Sequence, residues 1–149
     1  MNAQLTISRI EPRVSPDPAS EPDYLLTEMD GNRVIKSMRY GDADVASHGL
    51  ERVREWVAED LQRYRDWEGD RWRYLDVRLV AVVEVSADGR QVGTLEVDGP
   101  VLGGVESDAG HEYMSQIVAE LAEEFRHELA DMGFADVTHV EPSPLAWES

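Results

Sequence analysis

The chain reads as an α+β protein: an antiparallel sheet of about three to five strands packed against two helices. Three observations carry that reading. Apolar residues recur at three- and four-residue spacing from His48 to Trp67 and again from Ala109 to Met132, and they alternate with period two from Arg71 to Val85. Each helical stretch is followed by a glycine, Gly69 or Gly133, where a helix end calls for one.

The elements follow in order. Leu5 to Ile10 alternates weakly and suits an edge strand. Six of the seven prolines lie near the ends, and four of them (Pro12, Pro16, Pro18, Pro22) fall in Glu11 to Pro22, which is therefore expected to be an extended linker. Tyr24 to Met29 and Arg33 to Tyr40 flank Asp30-Gly31-Asn32, whose residues tolerate positive φ, so a small hairpin is expected there. The first helix carries an apolar stripe of Leu50, Val53, Val57, Leu61 and Tyr64, with Ser47 as its expected N-cap.

In the strand from Arg71 to Val85, Leu75, Val77, Leu79, Ala81, Val83 and Val85 occupy one side without a break. Asp88-Gly89 closes a hairpin onto Gln91 to Val97, and a further strand is expected from Val101 to Val105, weakened by Gly103 and Gly104. The second helix follows, with Ser107 or Asp108 as its cap. It has a buried stripe of Met114, Ile117, Val118, Leu121, Phe125 and Leu129, and an outer face of Glu112, Glu120, Glu123, Glu124, His127 and Asp131. The expected organisation is a strand and proline-rich linker over 1–22, one α+β domain over 23–141 and a tail over 142–149.

At 149 residues with 42% apolar content the chain can build a core. It has no cysteine, which excludes disulfides, thiolate metal sites and a cysteine nucleophile. The N-terminal ten residues lack the pattern of a signal peptide, and the longest apolar run, Leu79 to Val83, is too short to span a bilayer, so a cytoplasmic protein is expected. The net charge of −17 disfavours direct nucleic-acid or anionic-membrane binding and favours a basic partner. That charge is lopsided. Residues 84–149 hold 15 acidic residues against Arg90 and Arg126, or −13, and residues 1–83 contribute only −4.

No catalytic or cofactor motif stands out. Glu124 and His127 have the Glu-x-x-His spacing of di-iron carboxylate helices, but such sites use that unit twice. Ser107 and Asp108 are adjacent and cannot form a nucleophile relay. Gly103-Gly104 lacks phosphate-loop spacing and precedes an acidic turn. No cofactor and no metal are expected. Trp67 and Trp72 bracket Glu68 to Arg71 and are expected to meet where the first helix turns into the main strand, either as a local packing cluster or, since exposed tryptophans beside arginines make good hot spots, as protein-binding anchors.

Gly69-Asp70-Arg71-Trp72-Arg73-Tyr74, which leads into the main strand, and Gly103-Gly104-Val105-Glu106-Ser107-Asp108, which leads into the long helix, together resemble a family of small proteins of phages and prophages. Members share a Gly-Asp-x-Trp-x-Tyr strand start and a Gly-Ile/Val-Glu-Ser-Asp helix start. The likeness spans Glu59 to Leu129, about half the chain. It departs from the pattern at Leu102-Gly103, where the family often has an aromatic residue. The resemblance implies a mobile-element setting and no mechanism.

The expected function is therefore non-catalytic. The acidic face, with Glu112, Glu120, Glu123, Glu124 and Asp131 as contacts and Trp67 and Trp72 as anchors, would dock on a basic nucleic-acid-binding surface of a host protein such as a CRISPR or restriction complex. DNA mimicry is the sharper form. Eight acids over the 26 residues from Glu106 to Asp131 give about one charge per 5 Å of helix, against about 1.7 Å for duplex DNA, so the acidic face of the first helix would have to lie alongside. The alternatives are a small enzyme with a site on the exposed sheet face, using Asp76, Arg78, Glu84 or the histidines, and a structural or dimerising accessory protein whose apolar sheet face pairs with another copy.

Overall fold

A computed structural model describes residues 3–135 and 137–144. The fold class is α+β, with three helices, a three-stranded antiparallel sheet and a two-stranded sheet among the described residues. The chain falls into two compact units: residues 18–73, and the segments before and after them.

The larger unit is built on β1 (Ala3–Pro16), β4 (Tyr74–Ala87) and β5 (Arg90–Glu106), in the order β1-β4-β5. Its sheet runs longer than the sequence suggests. β1 continues past Ile10 through Pro12 to Pro16, pairing with β4 out to Leu75, so the first half of the expected linker is strand. Proline is tolerated because β1 is an edge, where a missing donor breaks no ladder on the outer side. The β4–β5 hairpin turns at Asp88 and Gly89, both at positive φ (54° and 78°), as a type I′ connection requires.

β5 replaces the two short strands expected after that turn. Pairing slips by one residue at three places, each time adding a residue to β5: near Val92, at Gly99-Pro100 and at Gly103-Gly104. The glycines read as strand breakers are thus bulges within one strand. The bulges keep Leu95, Val97, Leu102 and Val105 opposite Val83, Ala81, Val77 and Leu75 in spite of their uneven spacing.

α3 (His111–Asp131) covers that apolar side. Met114, Ile117, Val118, Leu121, Phe125 and Leu129 are buried as expected, joined by Ala122, in one cluster with Ile10, Leu75, Val77, Leu79, Ala81 and Val105. Phe125 seats against the backbone of Gly99, where a Cβ would lie 2.7 Å from two ring carbons. The helix ends in a Schellman motif: Gly133 N–H donates to Ala130 O (3.0 Å) and Phe134 N–H to Leu129 O (3.1 Å), with Gly133 at φ 99°. On the other side of the sheet Val80 and Val82 are buried between charged neighbours. Arg9 and Glu96 are the pairing partners of Val82, Glu11 and Asp98 those of Val80.

The smaller unit contains a 3-10 turn (Asp23–Leu25), the hairpin of β2 (Thr27–Asp30) and β3 (Arg33–Ser37), α1 (Asp42–His48) and α2 (Leu50–Glu68). The hairpin turns at Gly31 and Asn32 as expected, with Gly31 at φ 59°. α1 was not expected, and Ser47 lies inside it rather than capping the helix that follows. Gly49, at φ 88°, separates the two helices and is the N-cap of α2. α2 ends in its own Schellman motif, but the left-handed residue is Asp70 (φ 59°), not Gly69: Asp70 N–H donates to Trp67 O and Arg71 N–H to Asp66 O.

Candidate functional site

α3 fixes its outer face through the packing of its inner one. Its N-cap position is Gly110, which has no side chain to offer, so the helix starts beyond Ser107 and Asp108 rather than at either of them. At about 100° per residue, Glu112, Glu123, Glu120, Asp131 and Glu124 fall within roughly 120° of arc. They extend along a 21-residue helix about 30 Å long. All five are exposed.

Among the described residues none of the five is ion-paired. Gln116 donates to Glu120 (3.3 Å), a neutral contact that leaves the charge in place. The one arginine of the helix does not offset them. Arg126 is half-buried and turned away, with Nε donating to Val140 O (3.1 Å) and Nη2 to the Glu141 carboxylate (3.2 Å). The unit around α3 holds 18 acidic and five basic residues over its whole length, −13, against 13 and nine, −4, for residues 18–73.

The two tryptophans differ in exposure. Trp72 is buried, its indole N–H donates to Arg63 O (2.9 Å), and the Arg63 guanidinium lies 4.0 Å from its ring centre. An exposed anchor needs a free ring, so Trp72 is corrected to a packing residue. Trp67 is half-buried and meets Tyr64 at 5.6 Å between ring centres.

The residues weighed for catalysis do not converge. Asp76, Arg78 and Glu84 stand on one side of β4, but Glu84 lies eight residues from Asp76, about 27 Å along the strand. Asp76 sits instead beside the Gly103 backbone, where Asp17 accepts from Gly104 N–H (2.8 Å). Glu124 and His127 are both exposed, and no group of three or more His, Asp or Glu able to hold a metal occurs among the described residues.

Two ionic groupings were not anticipated. In the larger unit Arg9 and Arg13 both bind Glu11, and Arg13 reaches past β4 to fork onto Glu96 of β5. Hydrogen bonds from Arg9 and Arg13 hold the Glu11 carboxyl below its usual range, and the one from Arg13 does the same for Glu96. In the smaller unit Asp60 is the buried charged residue. It accepts from Arg39 Nη1 (2.7 Å) and Tyr40 Oη (3.0 Å), and burial, then this bond, pushes the Tyr40 phenol up. Tyr40 stacks on Trp56 at 5.8 Å, with His48 edge-on at 5.1 Å and Arg39 and Arg52 over the rings. Only the alternation of Arg9, Glu11 and Arg13 hinted at either grouping in the sequence.

Compared with known families, curated proteins and solved structures, the chain matches none.

Proposed function

We propose that the chain is a non-catalytic binding protein whose α3 outer face docks on a basic, nucleic-acid-binding surface of a host protein, as an inhibitor of a CRISPR or restriction complex would. The observation that carries this reading is the row of five exposed carboxylates without ion pairs, held on a helix whose other side is locked in the core. Carboxylates that stabilise a fold gather cations, as Asp60 does; these have none. Their spacing of about one charge per 5 Å leaves DNA mimicry dependent on a second acidic surface, so α3 alone supports partner binding rather than a copy of a duplex.

The test is capture of partners from the native host at low and at high salt. A basic nucleic-acid-binding protein should be retained at low salt and released at high salt, since exposed charges are screened beyond about 8 Å at physiological ionic strength. With that partner in hand, the variant Glu112→Gln, Glu120→Gln, Glu123→Gln, Glu124→Gln, Asp131→Asn should weaken Kd roughly tenfold or more while leaving the thermal midpoint near the parent's. Binding unchanged by these five substitutions would sink the reading.

A further inference from the structure

We propose that residues 141–144 are a strap over the edge of β1, and that when the strap lifts, β1 pairs antiparallel with β1 of a second copy, centred on Ile10. Among the described strands β1 pairs with one neighbour, β4. Ser143 N–H donates to Ile10 O at 2.8 Å and Pro142 bridges Ile10 in parallel, so the Ile10 carbonyl points outward from the sheet.

The chain before the strap is firmly seated, for Val137 is buried and Val140 rests on the core. The strap itself is lightly held, by that backbone bond and by the Arg126–Glu141 pair, whose carboxylate is 82% exposed. Contacts of this kind contribute little each, so lifting residues 141–144 leaves the core intact.

What the strap covers is the stretch of β1 least protected by other means. Pro12 and Pro16 remove donors from its later half, and the extra residue Ser8 bulges the earlier one. Ile10 lies between them. Antiparallel pairing centred there sets Ile10 opposite Ile10 with outward backbone groups facing, and brings each Arg9 opposite Glu11 of the other copy. Centring on Glu11 instead would oppose Glu11 to Glu11 and Arg9 to Arg13. Pro12 keeps the pairing short, so the association is weak and sensitive to the strap.

The experiment is sedimentation velocity over a concentration series, comparing the full chain with Glu141→Ala/Ser143→Pro, which removes the ion pair and the backbone donor. The self-association constant should rise about tenfold. In the released background Arg9→Glu should cancel the gain, and Arg9→Glu with Glu11→Arg should restore it. Should circular dichroism show that Ser143→Pro disturbs the fold, Glu141→Ala alone is read in the same way for a smaller rise. A released chain that associates no more than the parent, or whose association ignores the charge reversal, overturns the proposal.

Discussion

The two units of this chain differ in how far their charge is offset, −13 for the larger against −4 for residues 18–73. Residues 18–73 hold nine of the 14 basic residues, and many of these serve the fold: Arg39 on Asp60, Arg33 on Asp42, Arg71 on Asp66, Arg52 on Glu55. The larger unit pairs Arg9 and Arg13 with Glu11 and Glu96 on its sheet, yet among the described residues it leaves the five carboxylates on the outer face of α3 without cations. A charge built into a fold is constrained by its neighbours, whereas one left outside is available to a partner. The contrast therefore locates the candidate interface better than net charge does.

The largest effects should come from damaging each unit through what holds it. Phe125→Ala should cost the larger unit about 3–5 kcal/mol, by lost burial and by a cavity that the tightly opposed Gly99 cannot fill. The measurement is chemical denaturation followed by far-UV circular dichroism. Asp60→Ala should cost about 1–3 kcal/mol, because the Arg39 and Tyr40 donors lose their buried acceptor. Amide exchange should then rise within residues 18–73 and stay unchanged in α3; equal loosening in both units would mean the division is not energetic.

Two smaller effects sharpen the picture. Asp70→Gly should stabilise by about 0.5–1 kcal/mol, since Asp70 holds a left-handed conformation that glycine adopts without strain. A lower thermal midpoint in that variant would show that the Asp70 side chain matters more than its backbone. The smallest effect is one of pH. The Glu11 and Glu96 carboxyls are lowered in the folded chain from an ordinary value of 4.5, so their contribution is present above that value and disappears as pH falls through their folded range. Thermal midpoints taken from pH 6 downward should fall less steeply in Glu96→Gln than in the parent, by a small margin because the pair is exposed.

Most of the larger unit was legible. α3 shows because a long stripe at helical spacing has one physical solution, and β4 shows because its alternation is unbroken. Two strands are expected where β5 runs because Asp98-Gly99-Pro100 separates Gln91 to Val97 from Val101 to Val105, and only pairing with β4 reveals Gly99-Pro100 and Gly103-Gly104 as bulges. α1 escaped notice because it buries no residue and so leaves no periodic signal. On α2 the expected stripe included Leu61, which is exposed, and missed Asp60, which Arg39 and Tyr40 draw inward from elsewhere in the chain. The five α3 carboxylates were placed correctly on the outer face, whereas the burial of Trp72 depends on Arg63 closing over it. Periodicity predicts which side of an element faces inward; it does not predict which long side chain will fold over a neighbour.

The three bulges of β5 also bear on how this chain can change in length. In β4 a single inserted or deleted residue would send every following side chain to the opposite side of the sheet. β5 already absorbs one extra residue at each of three points and resumes its facing afterwards. Loss of one residue at a bulge would return the strand to regular pairing without displacing Leu95, Val97, Leu102 or Val105 from the core side. Length variation among related sequences should therefore collect at Val92, Gly99-Pro100 and Gly103-Gly104, and spare the strand between them and α3's partner, β4.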